Sequence, residues 1–247
     1  MTIETDDDLE ALKKIGQIVA ECLRTMLGAI RPGMTTLELD EIGERFLLSK
    51  GARSAPRLDY AFPGSTCISI NEQVAHGIPG DRIIQPGDLV NVDVSAELNG
   101  YYGDTGGSIG VAPVPELAQK VCVATRAARD RAIDSLRAGD RLSVIGRAIE
   151  KQAKASGLRI VRNLCSHGVG RKLHEPPEAI LPYYSPREHR TVRYGDVITI
   201  EPFLTTGREA VEEASDGWTL LNERGSWTAQ YEHTLVITRG RPLIMTA

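Results

Sequence analysis

Residues 90–106 read VNVDVSAELNGYYGDTG and set two aspartates into a strand-like segment. Asp93 alternates with valines, so its side chain lies on one face of a predicted strand. The pair Asn99-Gly100 is typical of a two-residue hairpin turn, and Asp104 follows it. The stretch therefore predicts two neighbouring antiparallel segments, each of which carries one of the two aspartates.

A similar pattern returns later in the chain. GDLVNVD at 87–93 corresponds to GDVITIE at 195–201, so Asp93 matches Glu201 at an offset of 108 (201 − 93). HGIP, which begins at His76, corresponds to HGVG, which begins at His167, at an offset of 91 (167 − 76). Offsets that drift while the order holds are expected from loop insertions between two related halves, with chance similarity as the alternative.

Two predicted helices precede the strands in each copy. Helical periodicity covers 9–30, and a second helix is capped by Thr35 or Thr36 and ends at Gly51. The same arrangement follows from residue 116 and ends at Gly157. We therefore predict one catalytic domain of the α+β class over 1–247. Its repeat halves cover roughly 9–111 and 112–240, share one sheet, and bring Asp93 and Glu201 together at the centre.

Composition narrows the class of protein. The formal net charge of −4 argues against capture of nucleic acid through a basic face. No apolar stretch approaches the length of a membrane span, and the acidic N-terminal segment is unlike a secretory signal. The four cysteines are widely spaced, which is typical of reduced thiols. We expect a cytoplasmic α/β-type protein without a membrane segment or direct nucleic-acid recognition.

Four acids occupy strand contexts: Asp93, Asp104, Glu201 and Glu232. Each one taken alone fits a hydrogen-bonded or solvent-facing acid on a half-exposed strand. Buried together, they repel one another and require cations. Residues 89–111 contain no lysine or arginine that could neutralise the first two. Two divalent metal ions would balance the four carboxylates.

The five histidines differ in their surroundings. His167 is flanked by small residues that would let it approach a metal, whereas His76 and His174 lie near loops and are candidates for proton transfer or substrate binding. His233 is predicted to be structural and His189 to be solvated. Oxygen ligands with one imidazole favour Mn²⁺, Fe²⁺ or Co²⁺, and Zn²⁺ is also compatible. Paired metals of this kind typically activate water for hydrolysis.

The order of these residues resembles that of the bacterial type I methionine aminopeptidases, which have the pita-bread fold. The resemblance runs from about residue 31 to 238. It rests on the stretches CISINEQVAHGIPG, GDLVNVDVSAELNGYYGDTG, HGVGRKLHEPP, GDVITIEPF and DGWTLLNERGSWTAQYEHT. It implies two halves related by a pseudo-twofold axis around a central curved antiparallel sheet covered by helices. It also implies removal of the initiator methionine from nascent chains with a small second residue.

The resemblance implies a dinuclear site. Asp93 would bind one ion, Asp104 and Glu232 would bridge both, and His167 and Glu201 would complete the shell of the other. In that family Glu201 also takes the proton of the water that bridges the ions and attacks the peptide.

The resemblance further implies the substrate contacts. His76 would contact the region of the scissile amide, and His174 would bind the substrate carbonyl and steady the developing oxyanion. The methionine side-chain pocket would be lined by Phe62, Cys67 and Trp218. Nascent peptides are the implied partners. A monomer and contact with the ribosome are expectations for the family, although the sequence has no clear basic patch to support the contact.

Four positions depart from the commonest family pattern: Ala75, Ser166, Leu173 and Asp59. None of them removes an expected ligand, but they put the pocket shape and the second-residue tolerance in doubt. One alternative is a peptidase of the same fold that cleaves next to proline, although such enzymes usually carry a large N-terminal domain. The other is a non-catalytic binding module, which we would expect to have lost metal ligands.

Overall fold

A computed structural model describes all residues, 1–247. Five helices are present: α1 (Asp6–Ala29), α2 (Thr36–Ser49), α3 (Ala55–Tyr60), α4 (Glu116–Asp134) and α5 (Ser143–Ser156). Fifteen strands complete the fold: β1 (Arg53–Ser54), β2 (Cys67–Ile70), β3 (Gln73–Ala75), β4 (Leu89–Leu98), β5 (Tyr101–Gly110), β6 (Arg159–Ile160), β7 (Ser166–Gly168), β8 (Glu175–Ile180), β9 (Val197–Ile200), β10 (Phe203–Thr205), β11 (Glu212–Glu213), β12 (Leu220–Leu221), β13 (Thr228–Gln230), β14 (His233–Val236) and β15 (Leu243–Ile244). The predicted mixture of helices and strands is confirmed.

The predicted hairpin is formed by β4 and β5. Asn99 and Gly100 have φ angles of 53° and 81°, the left-handed values that a tight two-residue hairpin turn needs. The strands pair antiparallel, with Asp93 opposite Gly106 and Asp104 opposite Ser95. The hairpin thus carries both predicted carboxylates into the interior.

All strand pairs are antiparallel. They form four groups: β1-β4-β2 with β5 beside β4, β6-β10-β13, β3-β12-β11, and β8-β7-β9-β14-β15. A backbone hydrogen bond of 2.9 Å from Glu232 N to Gly106 O joins the hairpin to the chain just before β14. The shared sheet that the sequence predicts is therefore composed of several short ladders.

Most helix boundaries follow local capping chemistry. Thr35 is the N-cap of α2, and its side chain and that of Glu38 form a reciprocal capping box. Thr5 and Asp8 do the same for α1. The short helix α3 was not predicted, although Ser54 caps it and a proline lies in its first turn. Its six residues are too few to show helical periodicity.

The hydrophobic interior consists of two large clusters and a small third one of five residues. One large cluster packs α1 and α2 against β4, and the other packs α4 and α5 against β9 and β14. The clusters interlock, because Leu89 of β4 belongs to the second, whereas Val197 and Val236 belong to the first. The two large clusters therefore exchange core residues, and a single domain over 1–247 stays a prediction. None of the helices has the length and apolar character that crossing a membrane requires.

Turn glycines at corresponding positions of the predicted repeat have similar backbone geometry. Corresponding glycines have similar left-handed φ angles: 87° at Gly33 and 94° at Gly139, 73° at Gly51 and 67° at Gly157, 91° at Gly87 and 85° at Gly195. Their hydrogen bonds also correspond, since Gly33 N donates to Ile84 O at 2.9 Å and Gly139 N to Val192 O at 2.8 Å.

Candidate metal centre

The four predicted acids meet in one recess of about 330 Å³. Asp93 and Asp104 come from β4 and β5, Glu201 directly follows β9, and Glu232 directly precedes β14. His167 of β7 also lines the recess. Elements from both predicted halves thus bring together all five residues that the sequence indicates as metal ligands.

Two carboxylate oxygens in the recess have no hydrogen-bond partner. They are Asp104 Oδ1 and Glu232 Oε1, on side chains from residues that are only 6% and 1% exposed. A buried, unpaired carboxylate oxygen is costly because it has lost its hydration without compensation. Ligand atoms of Asp104, His167 and Glu232 all lie within 4.8 Å of one another. This spacing, together with the orphaned oxygens, fits a bound cation.

Burial and mutual repulsion raise the pKa values of the acids. Burial raises the pKa of Asp93 to about 6, although hydrogen bonding to Asp104 and Gln230 lowers the pKa in part. The pKa values of Asp104, Glu201 and Glu232 lie well above their usual range, first because of burial and then because of the neighbouring carboxylates. No lysine or arginine lines the recess. The donor set of four carboxylates and one imidazole therefore fits divalent metal ions.

His167 presents one nitrogen to the acids. Its Nε2 lies 3.3 Å from Glu201 Oε1 and 3.7 Å from Asp104 Oδ2. Its Nδ1 lies 3.0 Å from the carbonyl oxygen of Gly168, to which Nδ1–H can donate, leaving the Nε2 lone pair free for a metal. Burial lowers the pKa of His167 to about 3, so the imidazole is neutral.

A pair of amides braces the acids, and sequence reasoning did not include them among the site residues. Gln230 Nε2 donates to Asp93 Oδ2 at 3.2 Å and to Glu232 Oε2 at 3.1 Å. Gln230 Oε1 accepts from Asn91 Nδ2 at 2.9 Å. A Cβ at Gly106 would lie 2.0 Å from Gln230 Oε1, so only glycine leaves room for this brace. The available signal was alternation, since Asn91 and Gln230 each lie two residues before an acid.

His76 and His174 both line the mouth of the recess. The side chains reach solvent there, but removal of water by the surrounding walls still lowers the pKa of each imidazole. His76 has a left-handed backbone with φ of 54°, which is unusual for a residue with a side chain. The ring of His174 lies 4.1 Å from that of His167, measured between centroids. Both histidines are thus beside the acids.

The other two histidines lie elsewhere. His233 Nδ1 is 2.9 Å from Thr246 Oγ1, and burial lowers its pKa to about 3. His189 is exposed. These positions agree with the structural and solvated roles that the sequence predicts.

An apolar wall adjoins the acids. The rings of Phe62 and Trp218 are 5.1 Å apart and meet edge to face. Cys67 completes the predicted trio, and burial raises the pKa of its thiol well above the usual range. The recess is also lined by residues that were not predicted: Pro56, Tyr60, Ser95, Leu164, Cys165 and Phe203. The wall offers an apolar side chain a place beside the carboxylates.

The four unusual positions surround this recess. Ala75 and Leu173 line it directly. Ser166 Oγ accepts a hydrogen bond of 2.9 Å from Glu201 N and so holds the backbone of a predicted ligand. Asp59 accepts a hydrogen bond of 3.2 Å from Leu173 N.

Comparisons with known proteins agree with this site. The sequence model of metallopeptidase family M24 matches residues 10–239. The chain belongs to this family. Methionine aminopeptidase 2 of Bacillus subtilis is 44% identical over 247 residues, covering 100% of this chain and 99% of the relative. A methionine aminopeptidase of Staphylococcus epidermidis is 45% identical over 248 residues, covering 100% and 98%.

A solved structure gives the same result for the fold. The crystal structure of a methionine aminopeptidase from Thermotoga maritima superimposes with a TM-score of 0.95 at 33% identity, covering 100% of this chain and 99% of that one. The predicted pita-bread fold is thereby confirmed. As an M24 metallopeptidase, the chain is a hydrolase that depends on divalent metal ions.

Proposed function

We propose that this M24 metallopeptidase is a methionine aminopeptidase that removes the initiator methionine from nascent chains with a small second residue. One observation carries the proposal: the five predicted ligands adjoin a compact apolar wall in the same recess. Methionine has an unbranched apolar side chain that fits such a wall. Full-length similarity to relatives named methionine aminopeptidase supports the same reading.

We assign two divalent ions to the acids. Asp93 would hold one ion, His167 and Glu201 would hold the other, and Asp104 and Glu232 would bridge them. Two ions match the four carboxylates in charge, and the two orphaned oxygens belong to the proposed bridging residues. When bound, such ions supply Lewis acidity, which polarises a carbonyl and makes water a better nucleophile at neutral pH. Co²⁺, Mn²⁺, Fe²⁺ and Zn²⁺ are all compatible with this donor set.

The chain supplies the proton transfers. Glu201 is the proposed base that takes a proton from the attacking water, since its carboxylate lies at the inner end of the recess beside His167. His174 at the mouth is the proposed donor to the substrate carbonyl, where negative charge develops. His76 is the proposed contact to the scissile amide. Buried surroundings strengthen each of these electrostatic interactions.

The apolar wall is the proposed methionine pocket. Phe62 and Trp218 would pack against the thioether, and sulfur contacts with ring edges stabilise such packing by about 0.3–1.5 kcal/mol. Cys67, whose thiol is neutral, would complete the apolar surface. Ala75 and Leu173 lie in the same lining, so we expect them to influence which second residues are tolerated.

The cellular setting follows from the substrate. Nascent chains emerge in the cytoplasm, so we expect the protein to act there. The four free cysteines agree with such a reducing compartment. A monomer stays an expectation from the family. Ribosome contact stays a prediction from the family.

A comparison of two peptide classes tests the proposal. We expect the metal-loaded protein to release methionine from Met-Ala-Ser and to leave Xaa-Pro peptides uncut. Preferential cleavage of Xaa-Pro peptides would instead indicate the proline-directed alternative. A Glu201→Ala variant should remain folded and lose this activity. Equal inactivity of the wild type and this variant with every candidate metal would favour a binding module.

A further inference from the structure

The end of α3 touches the loop that carries His174. Tyr60 Oη lies 2.7 Å from His174 Nδ1, and the two rings meet edge to face at 5.5 Å. Asp59, which precedes Tyr60, accepts a hydrogen bond of 3.2 Å from Leu173 N through its Oδ2. Two successive residues of α3 therefore hold both the backbone and the side chain of the 173–174 segment.

This contact is tied to the strand that carries Asp104. Asp59 Oδ1 accepts a hydrogen bond of 2.9 Å from Tyr102 Oη. Tyr102 lies on β5, two residues before Asp104, and its side chain is only 7% exposed. Because Asp59 bonds to a buried tyrosine of the hairpin, it can hold the His174 segment in register with the acids.

The hydrogen bond of Tyr60 also decides where a proton sits on His174. A neutral imidazole has one donor nitrogen and one acceptor nitrogen, and the partner of one nitrogen sets the state of the other. Neither Tyr60 Oη nor His174 Nδ1 has another partner in the protein. A phenol is a good donor and an imidazole nitrogen is a better acceptor than a phenolic oxygen. Tyr60 therefore donates to Nδ1, and the proton of His174 resides on Nε2.

We propose that Asp59 and Tyr60 are positioning residues for His174, with Tyr60 holding the Nε2–H tautomer and Asp59 holding the backbone. This inference rests on the proposed role of His174 as the donor to the substrate carbonyl. A donor on Nε2 is what that role requires, since Nδ1 is already engaged. The two residues act through His174 and do not themselves touch the scissile bond.

A Tyr60→Phe variant removes only the hydroxyl. We expect kcat on Met-Ala-Ser to fall by about tenfold, the size of one lost hydrogen bond, while KM changes less than twofold. Tyr194→Phe is the matched control, because that tyrosine is 65% exposed and remote from the recess. Unchanged kcat in Tyr60→Phe would overturn the proposal.

Nitrogen NMR of the Zn²⁺-loaded chain gives a readout independent of activity. We expect the His174 Nε2 resonance to be that of a protonated nitrogen in the wild type, with mixed tautomers in Tyr60→Phe. Comparison with a His174→Gln variant assigns the resonances. A proton on Nδ1 in the wild type would overturn the proposal. A wild type that fails to cut Met-Ala-Ser would defeat the proposed function, yet the tautomer would still be measurable.

A double variant tests whether Asp59 and Tyr60 both act through His174. Asp59→Ala should lower kcat while the melting temperature and metal content show that the chain is folded and loaded. Because both residues act through His174, the combined Asp59→Ala and Tyr60→Phe variant should lose less than the product of the single losses. Losses that multiply in full would contradict a common positioning role.

Discussion

The two halves of the molecule use the same architecture for different tasks. In both halves, a pair of helices is followed by a glycine with a left-handed backbone and then by a strand. The strand of the first half contains Asp93, and the strand of the second half is directly followed by Glu201. The halves differ at the corresponding histidines. His76 is exposed at the mouth of the recess, whereas His167 is 4% exposed and faces the carboxylates.

The difference has a structural origin. In the first half, β4 and β5 are joined by a two-residue turn and place Asp93 and Asp104 on adjacent strands, two residues apart in register. In the second half, Glu201 and Glu232 are separated by the segments β10 to β13. The repeated architecture thus brings the acids together, and in the proposed function the departures from symmetry separate metal binding at His167 from substrate binding at His76. Four pairs of variants test this comparison between the halves.

The largest effect is expected at the corresponding acids. Glu201→Gln removes both a proposed metal ligand and the proposed base, so it should lower kcat on Met-Ala-Ser by about 10²–10⁴-fold, and excess metal that refills the site should still not restore activity. Asp93→Asn should weaken metal binding, so excess metal should restore part of the activity. Glu213→Gln, on an exposed strand, is the control. Identical metal dependence of the two site variants would remove the distinction between the halves.

The corresponding histidines should separate metal affinity from catalysis. His167→Ala should weaken metal binding by more than about 100-fold, because loss of an outer-shell partner alone already costs about 10–100-fold. His76→Ala should retain metal affinity and lose activity. Calorimetric titration of the metal-free variants measures this directly. A comparable loss of affinity in both would place His76 in the metal shell, against the proposal.

Asp40 of α2 and Gly146 of α5 correspond, since each lies eleven residues before the glycine that follows its helix (51 − 40 and 157 − 146). We expect substitutions at both positions to destabilise the protein to a similar extent, but for different physical reasons. Asp40 accepts hydrogen bonds from Ser65 N at 2.9 Å and Thr66 N at 2.8 Å. A Cβ at Gly146 would lie 2.2 Å from Tyr183 O. We expect Asp40→Ala and Gly146→Ala each to lower the free energy of unfolding by about 1–3 kcal/mol in urea titrations.

Gly28→Ala is the control for these two substitutions. Gly28 lies within α1 and has no atom within 4 Å of an added Cβ. The substitution should stabilise the protein by about 0.5–1 kcal/mol, because alanine favours helix. A Gly146→Ala variant as stable as Gly28→Ala would show that the close approach of Tyr183 is not required.

The smallest effect is expected at the helix caps. Thr35→Ala should lower the free energy of unfolding by about 1 kcal/mol, because the side chain of Thr35 caps α2. The corresponding helix α5 has no side-chain cap, so Ser143→Ala at its first turn should change stability by less than about 0.5 kcal/mol. Thermal unfolding measures both. Equal losses would show that the cap does not distinguish the two helices.

Much of this molecule was predictable where a signal is local in the sequence. The β4-β5 hairpin follows from the alternation of residue types and from Asn99-Gly100. The set of four acids and His167 follows from the order of these residues along the chain and from the lack of neutralising charges. Features that depend on contacts between distant segments were not predictable. Gln230 braces Asp93 across 137 positions, and Tyr60 meets His174 across 114. No local pattern encodes such contacts, because they arise only when the strands and α3 pack together.

In the proposed function, the four acids and His167 hold two divalent ions, which hydrolysis requires. The most direct measurement is methionine release from Met-Ala-Ser while the metal-free protein is titrated with Mn²⁺. We expect no activity without metal and a rise that reaches its plateau near two ions per chain. Undiminished activity after complete removal of metal would contradict it.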